Sequence, residues 1–173
     1  MIRSIVWFTT DLRLLDNETL VSAIAQSDEI LPVYCFDESH FTTTDFGLEK
    51  TGKFRTQFLI ESLKDLDDNL RAIGSGLIVV KGNPEKELFK IAEKYKAQKV
   101  FTKKQVGYEE IITQKKVENA LQKIGCLLET FETSQLYKTD NLPFEIKQIP
   151  DVFTEFKSRV EKKRKNRRAV STT

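Results

Sequence analysis

The chain has 173 residues, of which 39% are hydrophobic, with 28 basic and 26 acidic side chains, enough to bury one core and a length suited to a single domain with a short appendage. No stretch approaches the roughly 20 apolar residues of a membrane helix, and the first residues lack the pattern of a secretory signal, so a cytoplasmic protein with no membrane partner is expected. Charge is unevenly spread: from Lys157 onward eight basic residues stand against Glu161, whereas the preceding chain carries 20 basic and 25 acidic residues, which confines any attraction to nucleic acid to the basic end.

The first apolar run, SIVWFT, reads as a strand that ends at a threonine pair and turns into Asp11, Arg13 and Asp16 without a glycine. Asp11 and Arg13 are suited to pairing with each other or with neighbouring loops, and Asp16 to capping the helix NETLVSAIAQ through its carboxylate. EILPVYCF (Glu29 to Phe36) is a second strand, in which Pro32 suggests a start or an irregularity. A long helix follows from about Lys53, with Leu59, Leu63, Leu66, Leu70 and Ile73 as one apolar stripe and Gly74-Ser75-Gly76 as its C-cap and turn.

LIVVK (Leu77 to Lys81) is the third strand, and Asn83-Pro84-Glu85 starts the next helix with a cap, a proline at its first position and an acid suited to the helix dipole. KVFTK (Lys99 to Lys103) and CLLETFE (Cys126 to Glu132) complete five strands, separated by a helix whose inward stripe is Val117, Ala120, Leu121 and Ile124. Strands so rich in Val, Ile, Leu and Phe, alternating with helices, predict a Rossmann-like, doubly wound five-stranded parallel sheet with helices on both faces and strand order 3-2-1-4-5. In that order ligands bind beyond the strand ends where the chain reverses between strands one and four. Strands two and five then lie too far apart for Cys35 and Cys126 to bond, so both are expected as buried thiols, and His40 as an exposed loop residue. Residues 37–51 and 133–150 escape the alternation as long polar or extended connections.

At the switch point the dinucleotide fingerprint is missing, because no Gly-x-Gly turn follows the first strand. Seven residues before Val117 lies Glu110, placed by helical periodicity on the inward side. It suits either a dipole-complementing acid or an acceptor for the ring N–H groups of a flat heterocycle. Lys53 and Arg55 begin the long helix and are either solvated or a source of positive charge in the same crevice.

WFTTDLRLLDN resembles the segment that opens the photolyase and cryptochrome family. FGLEKTGKFRTQFLIESLKDLDDNLRAIGSGLIVVKGNPEKEL and LPFEIKQIPDVFTEFKSRVEK are similar to stretches of DASH-type cryptochromes, and the resemblance runs from about Ile2 to Lys162. Thr9 departs from it, standing where the family usually has arginine. The resemblance implies an N-terminal photolyase-type α/β domain over residues 1–135, followed by a linker and basic helix over 136–173 leading to an FAD-binding helical domain, in cis or in trans. It also implies an antenna chromophore, methenyltetrahydrofolate or a deazaflavin. Glu110 then matches the glutamate that holds the pterin ring, Glu109 adjoins it, and Arg55 matches an arginine on the antenna side. FAD, the dimer-repair site and the tryptophan relay belong to the helical domain. Alone the chain is expected to be chemically silent, to bind the antenna weakly or not at all, and to meet DNA only through the longer protein or its basic end. A stand-alone nucleotide-binding domain of similar topology is the alternative.

Overall fold

The structure, a computed structural model, describes residues 1–135, Tyr137 and residues 139–162. Five strands, β1 (Arg3–Phe8), β2 (Glu29–Phe36), β3 (Ile78–Lys81), β4 (Lys99–Lys103) and β5 (Leu127–Phe131), form one sheet in the order β3-β2-β1-β4-β5. Every pairing is parallel, as the alternation of strands and helices requires. Helices α1 (Glu18–Gln26), α2 (Lys53–Ala72), α3 (Pro84–Tyr95) and α4 (Tyr108–Gln122) make the crossovers.

The central strand shows why the sheet is covered on both sides. Ile5 and Trp7 of β1 join Val33, Val100, Leu88, Ala92, Val117 and Leu121 in the cluster under α3 and α4. Val6 and Phe8 point the other way and pack with Leu20, Ala23, Leu63, Leu66, Leu70 and Phe101 under α1 and α2. A strand alternates its side chains between faces, so a continuous apolar run such as Ile-Val-Trp-Phe is stable only where both faces are buried. Cys35 and Cys126 are free, buried thiols, as the strand spacing predicts.

Local corrections concern the ends of elements. The N-cap of α1 is Asn17, not Asp16: Asn17 Oδ1 accepts from the Leu20 amide at 3.2 Å while its Nδ2 donates to the Arg13 carbonyl at 2.9 Å. Asp16 instead takes a left-handed conformation, φ 48°, in the turn that enters the helix, a role open to aspartate because its short polar side chain tolerates that region. Ile73 is not part of the buried stripe of α2, being 69% exposed. It is the C-cap, where the chain leaves the helix before the next apolar position can reach the sheet. The turn that follows is the expected one: Ser75 N–H reaches the Leu70 carbonyl, Gly74 N–H reaches that of Arg71, and Gly74 has φ 81°, a Schellman closure. β2 runs unbroken through Pro32 because β3 begins to pair only at Val33. Up to that point β2 has one neighbour, and a missing N–H is tolerated as on an edge.

The chain divides into two compact units, residues 1–131 and a second that begins at Glu132. The second contains short 3-10 turns and α5 (Phe153–Lys162). Within it, the Phe156 ring lies 5.7 Å from Phe144 and 6.4 Å from Phe153 between centroids, and Arg159 pairs with Glu155 one turn away. The basic run from Lys163 onward, read from sequence as linker or tail, lies outside the described residues. Among the described residues no helix is long and apolar enough to cross a membrane.

The cap assignment is directly testable. Asn17→Ala should lower stability by about 1–2 kcal/mol, since it removes a buried cap and the partner of a loop carbonyl. Asp16→Gly should change it by less than about 0.5 kcal/mol, because glycine suits the positive φ. Denaturant melts of the two variants compare them, and equal losses would return the cap to Asp16.

Candidate functional site

Beyond the carboxyl ends of β1, β2 and β4 the unit formed by residues 1–131 carries a cleft of about 270 Å³. Trp7 to Thr10 supply its floor from the end of β1, Tyr34, Cys35 and Asp37 one wall from the end of β2, and Gln105, Glu110 and Thr113 the other from the start of α4. The N-terminal half of α2 closes a third side with Arg55, Phe58 and Leu59. This is the reversal point of the strand order, where β1 stands between β2 and β4 and the connections leave toward opposite faces.

Of the four residues singled out in the sequence, Glu110 and Arg55 line this cleft and Glu109 and Lys53 do not. Glu109 is taken up by Lys50, whose Nζ lies 3.0 Å from both of its carboxylate oxygens. That ion pair ties the connection after β2 to the start of α4. Lys53 faces a neighbouring open groove with Phe41, Thr56 and Ile60. The first turn of α4 is open to solvent, so Glu110 shares the side of Val117 without being buried like it. Its carboxylate folds back over Gly107: a Cβ on that glycine would stand 2.2 Å from Glu110 Oε2. Gly107 has an ordinary extended backbone, φ −78° and ψ 150°, so its missing side chain serves the close approach of the acid and not a special conformation.

Sequence reasoning missed the aromatic part of the site. Trp7 and Tyr34 read as core strand residues, and they are packed in the core while also reaching the cleft, since both stand near the carboxyl ends of their strands. Tyr34 packs edge-on against Phe36, which in turn contacts Phe41. The polar connection of residues 37–52 is ordered by its own backbone: Thr44 N–H meets the Leu48 carbonyl at 2.7 Å, Lys50 N–H that of Thr42 at 3.0 Å, and Thr51 Oγ1 donates to the His40 carbonyl at 2.7 Å. His40 itself is exposed, as expected, and lies on the cleft wall. Asp11 and Arg13 meet through the backbone, the Arg13 N–H donating to the Asp11 carbonyl at 2.7 Å, while their side chains turn elsewhere: Asp11 Oδ1 accepts from the Thr9 amide and hydroxyl, and the Arg13 guanidinium donates to the carbonyls of Leu15 and Asp16.

Electrostatically the wall from β2 favours neutral groups. Burial, then the neighbouring Cys35 and Asp37, push the Tyr34 phenol up to about 12, with Arg55 opposing. Burial, then Asp37 and Glu87, push the Cys35 thiol up to about 12. Neither group is ionised at neutral pH, so neither the Tyr34 phenol nor the Cys35 thiol is an activated nucleophile. The chemistry of the cleft is that of a binding site: aromatic side chains, two acids, Asp37 and Glu110, and one guanidinium, Arg55.

The model of the family "DNA photolyase" matches residues 4–172. The chain belongs to the DNA photolyase family. It is similar to a blue-light photoreceptor of Arabidopsis thaliana, with 42% identity over 92% of the chain and 36% of the relative. It is also similar to cryptochrome DASH of Solanum lycopersicum, with 41% identity over 95% and 31%. Among solved structures, a Synechocystis cryptochrome superposes with a TM-score of 0.92 at 33% identity, over 98% of this chain and 36% of that one. An archaeal photolyase from Sulfolobus tokodaii, described as holding two FAD molecules with implication of a novel light-harvesting cofactor, superposes with a TM-score of 0.81 at 27% identity, over 97% and 36%. The chain thus spans about a third of the length of the curated relatives it matches.

The raised phenol and thiol give the site a pH dependence. Both groups hold their protons more tightly in the fold than in the unfolded chain, where they titrate near 10 and 9. Their contribution is therefore complete below about pH 9 and lost as pH rises toward 12. Stability should fall across that window, and at about pH 8 alkylation of Cys35 should be slower than that of a free cysteine by a factor on the order of a thousand. Mass-spectrometric alkylation rates measure this, and a Cys35 rate matching that of a short peptide would contradict the buried, neutral thiol.

Proposed function

We propose that this chain is the antenna-binding α/β domain of a DASH-type cryptochrome or photolyase, holding methenyltetrahydrofolate or a deazaflavin in the cleft and passing excitation energy to FAD in a helical partner domain. On this reading residues 1–135 bind the antenna and 136–173 lead to the partner, in cis or in trans. The observation that carries it is the pairing, in one cleft at the switch point, of the Glu110 carboxylate with the aromatic surfaces of Trp7 and Tyr34.

A planar pterin stacks on aromatic surface and presents N–H and amino donors at its edge. A carboxylate accepts two such bonds side by side, which fixes the ring orientation as well as its affinity. Arg55, on the side of the cleft closed by α2, supplies a cation for a ligand carboxylate. Glu109 and Lys53 enter the proposal differently: Glu109 acts through Lys50 by tying down the connection after β2, and Lys53 meets ligand only if the ligand extends beyond the cleft.

Apolar surface around the cleft supports a docking neighbour. Phe58 lines the cleft but is 71% exposed, and Phe54, one helical turn earlier on α2, is 85% exposed. Two phenylalanines spaced four residues apart on one helix form a contiguous apolar stripe. Covered by a partner domain, they would complete the burial of an antenna that the single unit leaves open. Energy transfer then needs no reactive group from this chain, in keeping with its neutral tyrosine and thiol. The two buried thiols suit a reducing compartment such as the cytoplasm. DNA contact would come through the partner domain or the basic residues from Lys157 onward.

Titration with methenyltetrahydrofolate, following its near-ultraviolet absorption band, tests the reading. Binding to the chain should be weak and should strengthen when an FAD-bearing helical domain is supplied. Glu110→Gln should weaken it about tenfold, the worth of a charge-assisted hydrogen bond. Gly107→Ala should weaken it comparably with no loss of stability, because the new methyl displaces the Glu110 carboxylate and nothing else. Unchanged affinity in both variants would remove Glu110 from the site, and calorimetric binding of ATP or AMP instead would favour a nucleotide-binding module.

A further inference from the structure

The connection between β4 and α4 carries the acid wall of the cleft, and its geometry is set by a residue outside the cleft lining. β4 ends at Lys103 and α4 begins at Tyr108. In between, backbone groups that have left the sheet ladder need other partners. Lys104 N–H finds the Phe131 carbonyl of β5 at 2.8 Å. The Lys103 carbonyl and the Gln105 amide are both met by one side chain, Gln114: its Nε2 donates to Lys103 O at 3.0 Å and its Oε1 accepts from Gln105 N at 3.3 Å.

The relay continues across the switch point. Gln105 Nε2 donates to Thr9 Oγ1 at 3.0 Å, and Thr9 Oγ1 donates to Asp11 Oδ1 at 3.4 Å, which also accepts from the Thr9 amide at 3.4 Å. Asp11 is buried. A chain of side-chain bonds therefore runs from α4 through the β4–α4 connection to the end of β1, joining the two strand ends between which the cleft opens. Lys103 Nζ adds a parallel tie to Thr10 Oγ1 at 3.0 Å. Gln114 stands one helical turn after Glu110, so the same helix face that presents the acid also anchors the chain that leads into it.

We infer that Gln114 is a positioning residue: by holding the Lys103 carbonyl and the Gln105 amide together it fixes the width of the cleft between the end of β1 and Glu110. The amide is suited to this because it offers a donor and an acceptor on one planar group. Glutamate keeps only the acceptor, and leucine of similar size keeps neither. The inference deepens the antenna reading and, for its ligand arm alone, rests on it.

Two readouts need no ligand. Hydrogen exchange at the Gln105 amide reports the bond to Gln114 directly, and acrylamide quenching of Trp7, the one tryptophan of the chain, reports access to the cleft floor. Gln114→Leu should speed exchange at Gln105 at least about tenfold and raise the Trp7 quenching constant about twofold. Gln114→Glu should leave the Gln105 amide protected and lie between wild type and Gln114→Leu in quenching. Protection of the Val117 and Leu121 amides, unchanged in both variants, verifies that α4 remains folded. Loss of the positioning role follows if Gln105 exchange is unaltered in Gln114→Leu, or if it rises while Trp7 quenching stays at the wild-type value. Where methenyltetrahydrofolate binds the wild type, Gln114→Leu should weaken it about tenfold with the bound spectrum unchanged, and equal affinity overturns the inference. Where the wild type does not bind it even with an FAD-bearing helical domain supplied, the antenna reading fails and the exchange and quenching results still decide the role of Gln114.

Discussion

The organising constraint is the burial of β1 on both faces. Its four central side chains alternate between two apolar clusters, and each cluster is completed by a different pair of helices. That forces the crossovers to leave toward opposite sides of the sheet, and a parallel sheet wound in both directions must open between the strands where the winding reverses. The cleft is thus a consequence of how the hydrophobic core is closed. Its floor is the carboxyl end of β1, where the half-buried Thr9 and the exposed Thr10 follow the last side chains buried under the helices.

The walls differ because the connections on the two sides obey different physics. After β2 the chain forms a long polar loop that satisfies its own backbone and is pinned by the Lys50–Glu109 ion pair. Such an exposed pair contributes little stability and weakens with salt, so its effect is to restrain one loop against one helix. After β4 the connection is short, and its backbone groups are met by an amide side chain and by β5. The bonds of the first wall lie mostly within its own loop, whereas those of the second join α4 to the end of β1.

The same division explains what was legible beforehand. Strand order followed from the apolar runs, and α3 from Asn83-Pro84, because burial and capping act over a few residues. The choice of Asn17 over Asp16 as a cap was not legible: both residue types cap well, and the decision lay in the backbone twist that carries the chain out of β1. Ile73 fits the periodicity of α2 yet is exposed, since periodicity states which side a residue occupies and not how far the sheet extends beneath it. Glu110 was found by counting back from Val117, whereas Trp7 and Tyr34 were missed, because a strand residue that lines a cleft has the same apolar character as one that fills a core. Glu109 and Lys53 lie within two residues of Glu110 and Arg55 in sequence but face other partners, as each step along a helix turns the side chain by about a hundred degrees.

By itself the sequence determined the class of fold, the number and order of the strands and the family resemblance, all of which rest on local apolar patterns and contiguous motifs. Only the tertiary structure decided which side chains share the cleft and how its rim is held. Thr9, Gln105 and Gln114 are separated along the chain by up to about a hundred residues, and hydrogen bonds over that distance exist only after the core has brought β1 and β4 side by side. Directional bonds of this kind depend on angstrom-scale placement, and that placement is a property of the packed core as a whole.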